Sequence, residues 1–397
     1  MAWSAGNQWL APTYESVVDG FSKQYPSTKL TVTPAGGPFL EKIKTMVAAG
    51  TPPDVTDTHQ TQVRDLGPGG IVIDLTAFLK RDPYPKDYVG WEPYRWQSKQ
   101  YGVPWAIQST ALFYNQSLFD EAGVAYPTDS WTWDDFVAAA QKLVKPGPDD
   151  NSTIWGAGDQ GGRNYQWINA LLVAFGGGVM KNDFSICTLT DPASVAVLEF
   201  RASWGTKLRI APAQPGGISG QFGQGRVAMA TSGSWYVANV KQNQNAALMV
   251  SGIPWDVAPV PKGKARRGAL SHELGMGIPV GVVNQDASWA AIRYLTSPPA
   301  LIPFAAIGRI IPPQRSLWSH AIPEDGVPAG FKHAFLDYWE QINLEAPFIP
   351  HWPDAQAIWY EELDPVWKGE RPAKEGAAAA KARLDELLKQ LKGEGLL

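Results

Sequence analysis

In the opening stretch of the chain the apolar period switches repeatedly between that of a helix and that of a strand, and this constrains the fold most. Val17, Val18, Phe21 and Tyr25 fall on one helical face, and Pro26 predicts where that helix stops. Leu30 and Val32 alternate with polar neighbours as in a short strand. Phe39, Leu40, Ile43, Met46 and Val47 make a second amphipathic helix ending near Gly50, and Pro52-Pro53-Asp54-Val55 opens another strand. Helices and strands in this rhythm bury their apolar sides together as a sheet covered by helices, so the chain reads as α/β.

The same alternation continues. Gly102-Val103-Pro104-Trp105 predicts a strand, and Ala111–Asn115 prolongs the apolar run. Thr132 caps a helix after Trp131, with Asp135 three residues on as its capping-box partner. Trp131 and Trp133 read as structural at this helix start, and Trp289 as packing against a sheet. Leu384, Leu387, Leu388 and Leu391 predict one apolar face of a closing helix. Pro212–Gly225 and Gly308–Pro313 read as loops or crossovers, and no internal repeat is present. At 397 residues the chain has room for about two to three domains.

Composition narrows the function classes. Lys and Arg number 34 against 38 Asp and Glu, a net charge of −4 that gives no basic face for nucleic acid. No stretch reaches the ~18–20 apolar residues of a membrane span. The single cysteine, Cys187, excludes an internal disulfide and Cys-based metal sites. The 18 Trp are the unusual number: they suit an aromatic core, or a cleft whose walls stack on the flat apolar faces of a polar ligand.

Catalytic motifs are weak. Gly156-Ala157-Gly158-Asp159-Gln160-Gly161 matches the spacing of a dinucleotide fingerprint but follows only a short Thr153-Ile154-Trp155 strand, so a Gly-rich loop lining a cleft is the preferred reading. His272-Glu273 starts like a zincin helix without the second His, and Ser232-Gly233-Ser234-Trp235 is not a nucleophile elbow. Asp54, Asp57 and Glu273 keep open a carboxylate-dependent glycan-active enzyme, which would need two carboxyls roughly 5–9 Å apart.

Four ordered segments together resemble the extracellular solute-binding proteins of ABC importers, in particular the carbohydrate-binding, maltose-binding-protein-like family. They are Ala48-Ala49-Gly50-Thr51-Pro52-Pro53-Asp54-Val55; Tyr101–Trp105 running through Leu112–Phe119 and Glu121-Ala122-Gly123 to Trp131–Phe136; Phe222–Met229 with Gly233-Ser234-Trp235; and Gly275-Met276-Gly277-Ile278-Pro279 with Ile311-Pro312-Pro313. The resemblance spans about residues 10 to 391. It implies a two-lobed periplasmic-binding-protein type II fold with a ligand cleft between lobes and hinge closure. The implied lobes are 1–113 plus 259–311, and 114–258 plus 312–397, with crossings near 111–117, 254–262 and 308–314. One departure is that only Met1–Ser4 stands where the family begins with a full hydrophobic strand.

By position in the family pattern, the resemblance implies ligand contacts at Asn7 and Trp9; at Asp57, His59 and Gln60; at Trp105 and Gln108; at Gln160, Asn164, Tyr165 and Trp167; at Trp235, the strongest candidate; at Glu273; and at Trp352, Trp359 and Tyr360. It implies no catalysis, no cofactor and no metal. It implies a monomer that delivers a sugar or oligosaccharide to permease subunits outside the cell or in the periplasm. An export signal and any lipid-anchoring Cys are not in the chain, so secretion and anchoring rest on the resemblance. Binding of a non-sugar solute, such as a glycerophosphodiester or polyamine, stays open beside it.

Overall fold

The predicted helix at the start forms over Ala11–Gln24 and buries Val17 and Phe21. It and the elements below belong to a computed structural model, which describes residues 2–5, 11–34, 39–159, 164–212, 219–237, 254–271, 273–321, 328–339, 343–344 and 348–397. In chain order the described strands are β1 (Ala2–Ala5), β2 (Thr31–Pro34), β3 (Val55–His59), β4 (Arg95–Trp96), β5 (Lys99–Gln100), β6 (Val103–Ala106), β7 (Thr110–Asn115), β8 (Trp155–Asp159), β9 (Val227–Gly233), β10 (Trp255–Ala258), β11 (Ala269–Leu270), β12 (Leu274–Gly277) and β13 (Asn343–Leu344). Among the described residues no helix is long and apolar enough to cross a membrane.

The chain divides into two units. The first comprises Met1–Gln108, His272–Glu324 and Phe348–Trp352; the second comprises Ser109–Ser271, Asp325–Pro347 and Pro353–Leu397. The first carries a five-stranded sheet in the order β2-β1-β3-β12-β6. β1 runs parallel to β2 and β3, whereas β12 is antiparallel to both β3 and β6. The short N-terminal segment is therefore a true strand: its four residues pair with β2 from Ala2↔Thr31 to Ala5↔Pro34. Val55, Val103, Trp105 and Met276 of the sheet join residues of helices Ala11–Gln24, Gln285–Leu295 and Pro298–Ala306 in one core. Trp289 sits in that core and donates its indole N–H to Asp82 Oδ2 at 2.8 Å, a packing role.

The second unit carries a four-stranded sheet, β10-β7-β9-β8, with β7 antiparallel to β10 and β9, and β8 parallel to β9. Helix Trp133–Leu143 begins with the predicted capping box: Thr132 Oγ1 accepts from Asp135 N–H at 3.2 Å, and Asp135 Oδ2 accepts from Thr132 N–H at 2.8 Å. The closing helix Ala373–Gly393 buries Leu384, Leu387, Leu388 and Leu391 as their spacing requires.

Two expectations are corrected. Gly156 and Gly158 lie inside strand β8 rather than in a loop. A Cβ on Gly156 would stand 2.0 Å from the Ala140 carbonyl oxygen, so the glycine lets β8 lie against the backbone of helix Trp133–Leu143. The lobe boundaries also move. The chain passes between units at 108/109, 271/272, 324/325, 347/348 and 352/353, not at 113/114, 258/259 and 311/312. The reason is pairing: all of β7 is hydrogen-bonded into the second sheet, Lys262 exchanges backbone bonds with Trp131 and Trp133, and Pro313 accepts from Val89 N–H in the first unit.

Candidate functional site

In the first unit the predicted residues cluster where β3 ends. Asp57 lies opposite Met276 and His59 opposite Leu274, both partly exposed. Next to them Gln60 and Glu273 are buried and tie β3 to β12: Gln60 Oε1 accepts from Glu273 N–H at 3.1 Å, and Glu273 O accepts from Gln60 N–H at 3.4 Å. Gln108 is likewise buried, donating through Nε2 to the Arg309 carbonyl at 3.1 Å. Burial pushes the Tyr94 phenol well above its ordinary pKa, and the charges of Glu273 and then Asp57 push the same way. Burial lowers the pKa of the Arg309 guanidinium, while Tyr14 and Asp57 act to hold its charge. The end of β3 is thus a partly exposed rim over buried polar side chains, of which Gln60 and Gln108 are hydrogen-bonded while the Tyr94 hydroxyl is buried without a hydrogen-bond partner among the described residues.

His59 Nδ1 lies 2.7 Å from Thr61 Oγ1 and accepts from Thr61 N–H at 3.2 Å, which leaves the proton of the neutral ring on Nε2. Desolvation lowers its pKa from 6.5 to about 4. The unfolded state therefore binds the proton first, and stability is full above the unfolded value and falls as pH drops toward the folded one. Between pH 6.5 and about 4 the protein should lose up to roughly 3 kcal/mol through this residue. Urea melts across that window check it: His59→Gln should flatten the slope, and an unchanged slope would refute the assignment.

Two aromatic candidates of the first unit serve packing. Trp105 is buried edge-on to Phe304, with ring centroids 5.6 Å apart. Trp352 is buried against Phe348, edge-on at 4.8 Å. Its segment is pinned by Asp65, whose carboxylate accepts from the His351 and Trp352 N–H groups at 2.8 and 3.4 Å. Burial raises the Asp65 pKa despite these bonds. Nothing in the sequence marked Asp65, because its role depends on residues nearly three hundred positions away.

In the second unit, Asn164 caps helix Tyr165–Ala174, its side chain accepting from Gln166 N–H at 2.8 Å. Tyr165 is buried edge-on to Trp359 at 5.2 Å, and Trp359 is 0% exposed. These two rings, expected as stacking surfaces, are enclosed by protein and bind each other. Tyr360, on the same helix as Trp359, accepts through its hydroxyl from Gln356 Nε2 at 3.2 Å. Trp167 is partly exposed at the wall of a pocket within this unit.

Trp235 is also partly exposed, just beyond the end of β9. Its six-membered ring covers Gly233: a Cβ there would stand 1.9–2.2 Å from ring atoms Cζ3, Cη2 and Cε3. Gly233 pairs with Thr110 of β7, so the indole is fixed against the sheet rather than carried on a loose loop. Such a seat suits a ring that must present a flat face in a set place. Asn7, Trp9 and Gln160 lie outside the described residues, as does His272. Among the described residues no group of three His, Cys, Asp or Glu side chains comes together to hold a metal ion.

A sequence model for bacterial extracellular solute-binding proteins matches residues 7–301. The maltotriose-binding protein of Pyrococcus abyssi is 22% identical, over 96% of this chain and 80% of its own. A maltooligosaccharide ABC transporter solute-binding lipoprotein of Streptococcus pneumoniae is 24% identical, over 96% of this chain and 88% of its own. Among solved structures, an ABC substrate-binding protein of Listeria monocytogenes in complex with cycloalternan superimposes with a TM-score of 0.85, at 21% identity over 98% of both chains. The two α/β units and their sheets thus form a periplasmic-binding-protein fold.

Proposed function

The chain belongs to the bacterial extracellular solute-binding protein family, and on that premise we propose that its solute is a sugar or oligosaccharide handed to an ABC importer. Membership carries a binding role, not a catalytic one, and a place outside the cytoplasm. The sugar reading is supported by the solutes named for the relatives from Pyrococcus, Streptococcus and Listeria. The observation that carries it in this chain is Trp235, a partly exposed indole seated on Gly233.

A sugar offers apolar C–H faces and a rim of hydroxyls. In the second unit Trp235 would cover a C–H face, and in the first unit Asp57 and His59, partly exposed at the end of β3, carry groups of the kind that bond hydroxyls. His59 is suited to this because its neutral ring carries a donor on Nε2. Each hydroxyl left unmatched costs about 1–3 kcal/mol, which is how such a site would discriminate among saccharides. The protein would act as a monomer, with permease subunits as partners, and a lipid anchor like that of the Streptococcus relative would hold it at the membrane.

The test is intrinsic Trp fluorescence and melting temperature against a panel of mono- and oligosaccharides, including maltotriose, with chromatography of each hit. A spectral shift, a raised Tm and intact saccharide are expected. At about 100 times Kd the ligand should add about 2.7 kcal/mol of stability. Silence toward every saccharide, with a response to a glycerophosphodiester or polyamine, would overturn the sugar and keep the binding role.

A further inference from the structure

We propose that the second unit holds a small inorganic anion of chloride size in the pocket walled by Trp133, Trp167, Trp204, Arg201, Thr110 and Thr231. The cavity is small, about 30 Å³. It is formed where helices Trp133–Leu143, Tyr165–Ala174 and Pro192–Thr206 meet β7 and β9.

Its wall sets hydrogen-bond donors among apolar side chains, Ile168, Leu171 and Val260 with them. Trp133 is 6% and Trp204 2% exposed, and the indole N–H of each is buried without an acceptor. An indole N–H can only donate, so neither can be satisfied by rotating or by changing tautomer. Buried donors left unmatched are costly, and two from one wall call for a common acceptor. Arg201, 4% exposed, brings positive charge to the same wall, its guanidinium 4.7 Å above the Trp204 ring. Thr110 Oγ1 accepts from Leu270 N–H at 2.9 Å, which leaves its own proton to donate. Among the described residues lining the pocket, no side chain is a carboxylate or an amide.

A water molecule would have to donate as well as accept, whereas the two indole N–H groups only donate. An anion only accepts and gains from the guanidinium charge. The two aromatic pairs Trp133–Trp204 at 5.7 Å and Phe136–Trp204 at 5.1 Å hold the indoles in place, so the donors are set before the anion arrives.

Bromide is the probe. Crystals of the whole chain grown in sodium bromide should give an anomalous peak within hydrogen-bond distance of Trp133 Nε1 and Trp204 Nε1. In solution, bromide should quench Trp fluorescence saturably, and Trp204→Phe, which keeps a ring but removes the N–H, should weaken the apparent affinity about tenfold or more. A pocket holding water without an anomalous peak would overturn the proposal, as would quenching that Trp133→Phe and Trp204→Phe both leave unchanged. The peak in the unaltered protein keeps the test decisive should either variant fold poorly. No saccharide enters this experiment, so its failure would leave the sugar reading standing.

Discussion

Trp235→Ala should weaken saccharide binding about 100-fold, corresponding to about 2–3 kcal/mol, while leaving stability within about 1 kcal/mol of the parent protein. The ring is partly exposed, so its removal opens little new space in the core. What disappears is a flat apolar surface held in one place by Gly233. Trp235→Phe should recover part of the loss, because a smaller ring still covers a sugar face. Gly233→Ala tests the seat rather than the ring: its new methyl would collide with Cζ3, Cη2 and Cε3 and turn the indole away, so affinity should fall with Trp235 intact. Calorimetric titration with the best saccharide of the panel measures all three. An unchanged Kd for Trp235→Ala would remove Trp235 from the binding surface.

Trp359→Ala should do the reverse. Its ring is fully enclosed, with Tyr165 packed edge-on against it. Truncating a buried Trp costs about 3–5 kcal/mol through lost transfer energy and the cavity left behind. The Tyr165 contact adds its share to that loss. Tm should drop on the order of 10 °C. Trp359→Phe should cost clearly less. Below the lowered melting temperature, saccharide affinity should stay close to that of the parent. The pair of substitutions thus separates a ring that touches ligand from one that supports the unit. A Trp359→Ala protein with unchanged Tm and lost affinity would reverse the assignment.

What could be seen in the sequence was what depends on near neighbours. The capping box at Thr132 and Asp135 needs only residues three apart, and the leucine face of the last helix only its own period. The α/β alternation followed from the same local signals. Gly156 misled because its reason is the Ala140 carbonyl of a packed helix, and no local pattern records that approach. The unit boundary missed β7 because an apolar strand in a sheet and an apolar crossover read alike until their partners are known. At the site, position in the family pattern pointed to Trp235 first and to Trp359 as well, and it did not record that Trp359 is fully buried while Trp235 is partly exposed. The donor pocket was out of reach: Trp133 read as structural and Trp204 drew no notice, since their shared wall is assembled from distant segments.

The order of strands in the first sheet has a consequence for how the chain is made. β12 stands between β3 and β6, and it reaches the growing chain only after the whole run Ser109–Ser271 of the second unit. β6 emerges early, yet its partner is Leu274–Gly277. The four strands of the second sheet, by contrast, all fall between Thr110 and Ala258. During synthesis the unit that begins later is therefore able to close its sheet first. The first unit carries β3 and β6 with open edges until translation has passed Gly277.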